Sequence, residues 1–164
     1  MILVDTNVLL DLVTDDPDWA EWSSARLEEA ALAGPILIND IVYAETSIRY
    51  DRIEDLDAML AQAMIEIAAT PRSALFLAGK AFQRYRTAGG TRTGVLPNFF
   101  IGAHAAVEGW PLLTRNAGRY RSYFPKVALI VPPGLNKDIR AASRHSLMPP
   151  RGRHIVASSL RGSV

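Results

Sequence analysis

Short, unbroken apolar runs alternate along the chain with longer segments whose apolar residues recur at helical spacing. MILV at the start, closed by Asp5, suits a buried parallel strand with the acid at its C-terminal end. Thr6 or Asn7 is placed to cap a short helical stretch over 8–13. In DDPDW, Asp16 caps and Pro17 takes the first turn of a helix predicted to reach about Ala33, where Gly34-Pro35 ends it. ILI (36–38) reads as a second buried strand, and Asn39 or Asp40 caps a helix containing Ile41, Ala44, Glu45 and Ile48. Residues 53–68 read as helical, with Leu56, Leu60, Met64 and Ile67 on one face and acids on the other. Pro71 opens a further helix through Leu75, Ala78 and Phe82 that stops at Gly89-Gly90. The last helix of the main body is predicted from Pro97 to about Glu108, with Gly109 as its stop. PLLT (111–114) and VALIV (127–131) are the final strands, separated by NAGRYRSYF, and ordered structure is expected to end near Pro132-Pro133.

Strands alternating with helical segments imply an α/β domain in three layers, α/β/α, around a central parallel sheet. No internal repeat is present. The division that follows is one domain over 1–133 and a basic, poorly ordered tail over 134–164.

Composition narrows the class without naming a function. A chain of 164 residues, 49% hydrophobic and 21% charged, is a globular domain able to bury a core. No apolar run is long enough to span a bilayer, so no membrane association is expected. The start, MILVDTNVLL, has no basic leader and carries Asp5 within its apolar stretch, so a secretory signal is not expected and cytoplasmic residence is. With no cysteine, disulfides and thiolate metal sites are excluded. The net charge of +1 hides an asymmetry: from Lys137 onward six basic residues face one acid, Asp138, a local +5 that leaves −4 on the rest. Such a tail can attract nucleic acid, but the body is not basic enough to predict that binding from charge.

Candidate chemistry gathers where strands end and helices begin, which is where ligands bind in parallel sheets. Asp5 closes the first strand, Glu45 sits one turn into the helix after the second, Asn98 opens the helix after the glycine loop, and Asn116 follows PLLT. Oxygen ligands converging in this way suit a hard cation such as Mg²⁺, which needs one or two carboxylates, several waters and often a substrate phosphate. Each residue also has an ordinary role: Asp5 and Asn98 as helix caps, Glu45 on the surface, Asn116 in a turn. His104 lies on an alanine-rich helical face without a partner histidine, which reads as packing or surface. The stretch TAGGTRTG lacks both the Walker pattern and the GxGxxG spacing.

Taken together, MILVDTNVLLDL, VYAETSIRY, LPNFFIGAHA and LLTRNAGRYRSYFP resemble, in order and spacing, the four motif blocks of PIN domains. The resemblance is to the VapC-type ribonuclease toxins of toxin–antitoxin pairs, covers about residues 1–131, and leaves the basic tail unmatched. It implies a metal-dependent endoribonuclease whose acids hold Mg²⁺ or Mn²⁺ at one end of the sheet. Asp5 and Glu45 match two of the acids. Asn98 stands where the third is an aspartate, and Asn116 at a fourth place where Asp and Asn both occur. Thr6, Asn7, Thr114 and Arg115 would orient the acids or contact phosphate, and Arg115 and Arg119 would hold the RNA backbone. Asn98 keeps the shape and a carbonyl oxygen but removes a charge, so a much reduced activity is expected with the binding surfaces retained.

The resemblance also implies a cognate VapB-like antitoxin, with segments 17–33 and 40–50 as walls of its groove, and a homodimer. Two other readings compete. A PIN-like module that binds RNA or protein without cutting is compatible with Asn98. A haloacid-dehalogenase-type phosphatase is disfavoured, because its second aspartate would fall at Asn7 and no suitable lysine motif follows.

Overall fold

The computed structural model describes residues 1–134; the basic tail predicted over 134–164 lies outside them beyond Gly134. The elements run β1 (Ile2–Val4), α1 (Thr6–Val13), α2 (Ala20–Ala33), β2 (Ile36–Asn39), α3 (Asp40–Ser47), α4 (Ile53–Gln62) and β3 (Ile65–Ala68). The second half continues with α5 (Arg72–Thr87), α6 (Leu96–Glu108), β4 (Leu112–Leu113), α7 (Ala117–Tyr123) and β5 (Leu129–Ile130). Five strands form one all-parallel sheet in the order β3-β2-β1-β4-β5, and helices cover both of its faces. Among the described residues no helix is long and apolar enough to cross a membrane.

Strand β1 lies at the centre, and Ile2, Leu3 and Val4 are all buried, as expected for a strand covered on both faces. The chain leaves β1 towards β2 and β3 on one side, then returns to place β4 on the other. The gap between the C-terminal ends of β1 and β4 is therefore the switch point of the sheet, where an open α/β fold forms its crevice.

Several boundaries differ from the sequence reading. Residues 53–68 are a helix followed by a strand, not one helical run: α4 stops at Gln62, Met64 takes a left-handed φ of +53°, and β3 follows. Only Ile65 of β3 is buried while Glu66 and Ile67 are exposed, because β3 is an edge strand with little apolar face to bury. Helix α2 begins at Ala20, three residues after Pro17; the Asp16 carboxylate instead closes a turn by accepting from the Asp18 and Trp19 N–H groups. Neither Thr6 nor Asn7 caps α1, whose N-cap is Asp5. The Asn39 side chain does cap α3, accepting from the Val42 N–H at 3.0 Å.

Helix α6 is held by an aromatic cluster just past the glycine loop. Phe99 packs against Tyr123 with ring centroids 4.9 Å apart, and against Phe82, Tyr85 and Phe124 at somewhat longer range. Gly102 lets α7 approach: a Cβ there would fall 2.4 Å from the Phe124 ring and 2.9 Å from the Tyr120 ring. His104 is buried and packed against Trp110 at 5.3 Å, so of its two predicted roles the structure shows packing.

Candidate active site at the switch point

Asp5 occupies the N-cap position of α1 yet its carboxylate does not cap the helix; only its backbone oxygen accepts, from the Val8 N–H. The side chain is instead buried, 2% exposed, between the ends of β1 and β4. Its Oδ2 accepts from the Thr114 hydroxyl at 2.5 Å and from the Asn7 amide at 2.6 Å. Asn7 bridges the crevice, since its amide nitrogen also reaches Thr114 Oγ1 at 3.2 Å and its oxygen accepts from the Arg115 N–H at 3.1 Å. Thr114 in turn accepts from the Asn116 N–H at 2.9 Å. A carboxylate turned from its own helix and held by two side chains from separate elements is positioned for something other than capping.

Glu45 enters from α3, half-buried, with its Oε2 accepting from the Thr6 hydroxyl at 2.5 Å. Thr6 thus joins the second carboxylate to the residue after the first. Burial pushes the Asp5 carboxyl above the ordinary carboxylate range and the nearby Glu45 charge pushes the same way, against the opposing effect of the Thr114 and Tyr120 hydrogen bonds. Two carboxylates in one water-poor crevice repel, and a divalent cation relieves that repulsion.

Asn98 is the third residue of α6 and does not cap it, contrary to the sequence reading; the N-cap is Val95. The Asn98 side chain meets the Tyr120 hydroxyl, 3.3 Å from its Oδ1. Tyr120 is fully buried, and burial followed by the Asp5 charge raises its hydroxyl well above the usual value, so it stays protonated. Asn98 is therefore tied to Asp5 through Tyr120, which hydrogen-bonds both residues.

The remaining predicted residues are placed less directly. Asn116 is exposed and joins the network through its backbone N–H. The Arg115 side chain turns away from the carboxylates to pair with the buried Asp11 at 2.7 Å and to lie over Trp19. Arg119 is half-exposed on α7, where its charge acts on Tyr120. Sequence reasoning missed Tyr120, Asp11 and Ser23, whose hydroxyl donates to Asp11 at 2.6 Å. Asp11 had a signal, an acid three residues after Val8 on the apolar face of α1; Tyr120 had none beyond its aromatic neighbourhood.

Among the described residues no three His, Asp or Glu side chains converge as a metal cluster, in keeping with Asn98 and Asn116 being neutral. The donor set is two carboxylates and a side-chain amide oxygen. That fits Mg²⁺ or Mn²⁺ at the lower limit, with water and a substrate phosphate completing the shell. The widest cleft, about 270 Å³ and lined by Met1, Ile2, Ala30, Gly34 and Pro111, lies at the opposite, N-terminal end of the strands and contains none of these groups.

A parallel α/β sheet with paired carboxylates at its switch point defines a class of domain built around an acidic, cation-attracting crevice. Within that class the chain belongs to the PIN domain family, which matches residues 2–125. It is similar to solved structures over most of their length. VapBC2 from Rickettsia felis, bound to a DNA fragment from their promoter, is 22% identical with a TM-score of 0.62, covering 80% of this chain and 99% of that one. FitAcB from Neisseria gonorrhoeae is 20% identical with a TM-score of 0.58 over 79% and 96%. A toxin–antitoxin complex from Klebsiella pneumoniae is 22% identical with a TM-score of 0.53 over 80% and 98%. At these identities the likeness is one of fold. No curated protein matches the chain.

Proposed function

We propose that the chain is a VapC-like endoribonuclease toxin, dependent on Mg²⁺ or Mn²⁺, with activity reduced by Asn98 and restrained by a VapB-like antitoxin. The observation that carries this reading is Asp5: a buried carboxylate, withheld from its own helix and paired with Glu45 at the switch point of a PIN domain. Asp5, Glu45 and the Asn98 carbonyl would hold the cation. Bound there, it supplies an acidified water ligand and neutralises charge on the scissile phosphate.

The chain's own groups then have separable tasks. Thr114 and Asn7 fix the Asp5 carboxylate, and Thr6 fixes Glu45. Glu45, less buried than Asp5, is placed to orient the attacking water and take its proton. Arg119, half-exposed on α7, is the better candidate of the two arginines for the RNA backbone, because Arg115 is already paired with Asp11. An antitoxin partner is supported by the similar structures, which include a toxin–antitoxin complex, and a homodimer is proposed alongside it.

The neutral pair Asn98 and Asn116 favours one second reading, a PIN domain that binds RNA or protein without cutting. The deciding experiment is Mg²⁺-dependent cleavage of total RNA by this chain beside Asn98→Asp at equal concentration. Cleavage that rises with the restored aspartate and vanishes in Asp5→Asn supports the nuclease. Folded protein that cuts in neither form supports the binding module.

A further inference from the structure

The Tyr120 hydroxyl lies between two acceptors and has one proton. It is 3.3 Å from the Asn98 side-chain oxygen as assigned, and it also hydrogen-bonds the Asp5 carboxylate. A phenol donates once and can accept from a second partner. An ionised carboxylate is a stronger acceptor than an amide carbonyl, so the proton goes to Asp5. The oxygen and nitrogen of an asparagine amide are distinguished by their hydrogen-bond network, not by shape. The arrangement that satisfies every group is a relay: the Asn98 NH₂ donates to the Tyr120 oxygen, and the Tyr120 O–H donates to Asp5. The Asn98 carbonyl then faces away from Tyr120.

We infer that Tyr120 is a positioning residue matched to asparagine at position 98: it orders Asp5 and turns the Asn98 carbonyl oxygen outward as a neutral ligand. Packing fixes the geometry. Tyr120 is fully buried, and Gly102, one helical turn after Asn98, is the opening through which α7 brings the phenol against α6. An aspartate at position 98 has no proton to offer, so two carboxylates would compete for one hydroxyl. Asn98 is in this sense an adapted residue rather than simply a lost acid. The inference rests on the crevice being a cation site, but the relay itself is testable without any cation.

The first test is nitrogen-15 NMR of the unmodified chain, with the Asn98 side-chain amide assigned by its disappearance in Asn98→Asp. One Nδ2 proton slow to exchange with solvent, and losing that protection in Tyr120→Phe, is expected. Two fast-exchanging protons in the unmodified chain would overturn the relay, whether or not Tyr120→Phe folds. The second test is Mn²⁺ titration, followed by the loss of the free-ion electron paramagnetic resonance signal. Tyr120→Phe is expected to weaken Mn²⁺ binding about three- to tenfold in the Asn98 chain and by clearly less in Asn98→Asp. An equal loss in both backgrounds would overturn the match between the two residues. Protection of the amide with no Mn²⁺ binding in any variant would instead leave the relay standing and remove the cation-dependent nuclease reading.

Discussion

The Arg115 guanidinium lies 2.7 Å from the Asp11 carboxylate and 5.1 Å from the centre of the Trp19 ring. Three segments meet there: α1 through Asp11, the approach to α2 through Trp19, and the β4–α7 turn through Arg115. Asp11 is buried, and Ser23 satisfies its second oxygen. The turn that carries Thr114 and Asn116 is thus anchored from behind by an ion pair that faces away from the carboxylate crevice.

Removing either partner leaves a buried, uncompensated charge, and such losses cost roughly 2–4 kcal/mol. Asp11→Ala and Arg115→Ala should each lower the urea midpoint accordingly. The paired change Asp11→Leu with Arg115→Met should recover much of that loss, because the pair's own desolvation cost disappears with it. Single variants that unfold at the native midpoint would show that the pair contributes little.

Asp5 should behave in the opposite way, as a residue kept at the expense of stability. Burial and the Glu45 charge both disfavour its ionised form. A folded-state value above the unfolded one means that the charged form weakens the fold near neutral pH and that this penalty fades as pH falls towards the model range. Asp5→Asn keeps the shape and removes the repulsion, and the Thr114 hydroxyl can rotate to serve the amide. The variant should melt several degrees higher at pH 7 by calorimetry while losing metal-dependent cleavage. A lower melting temperature would mean that the Thr114 and Asn7 hydrogen bonds outweigh the burial of charge.

Two glycine-to-alanine changes separate packing from helix propensity. Gly79 is exposed within α5 with open space at its Cβ position, so Gly79→Ala should stabilise by about 0.5–1 kcal/mol. At Gly102 the same methyl group meets the Phe124 and Tyr120 rings, and overpacking of that kind costs about 1–3 kcal/mol. Gly102→Ala should also push Tyr120 away from Asn98, so its activity should fall further than its stability predicts. Equal effects at the two glycines would contradict the tight approach of α7 to α6.

Much of this arrangement was legible before any coordinates. The apolar runs of β1 and β2 are continuous because both strands are covered on two faces, and each ends at a polar residue that marks the crevice. The third strand was hidden because an edge strand buries little: IEIA offers one buried side chain and continues the helical spacing of Leu56 and Leu60. Asp5 was visible as a strand-end acid, but whether it capped α1 depended on where the carboxylate turned, which only the fold decides. Tyr120 and Arg115 show the same limit. Their partners, Asn98 and Asp11, lie 22 and 104 positions away, so no local pattern contains the pairing.

His104 supplies a pH test away from the carboxylate crevice. Its ring is buried against Trp110, and Nδ1 has no hydrogen-bond partner among the described residues. Burial lowers its basicity, with the charges of Glu108 and Asp40 pulling weakly the other way. With the folded value below the model value of 6.5, the unfolded chain binds more protons in the interval between them. The stabilisation is therefore complete above the unfolded value and is lost as pH falls through the folded one. Asp40, held down chiefly by its hydrogen bonds with Thr70, loses its contribution only below the ordinary carboxylate range, so the two windows do not coincide. The difference in unfolding free energy between the native chain and His104→Leu cancels the Asp5 contribution common to both. That difference should shift against the native chain between pH 7.5 and 5, while the His104 imidazole titrates by NMR below 6.5. A midpoint at or above 6.5 would show that the neighbouring acids outweigh burial.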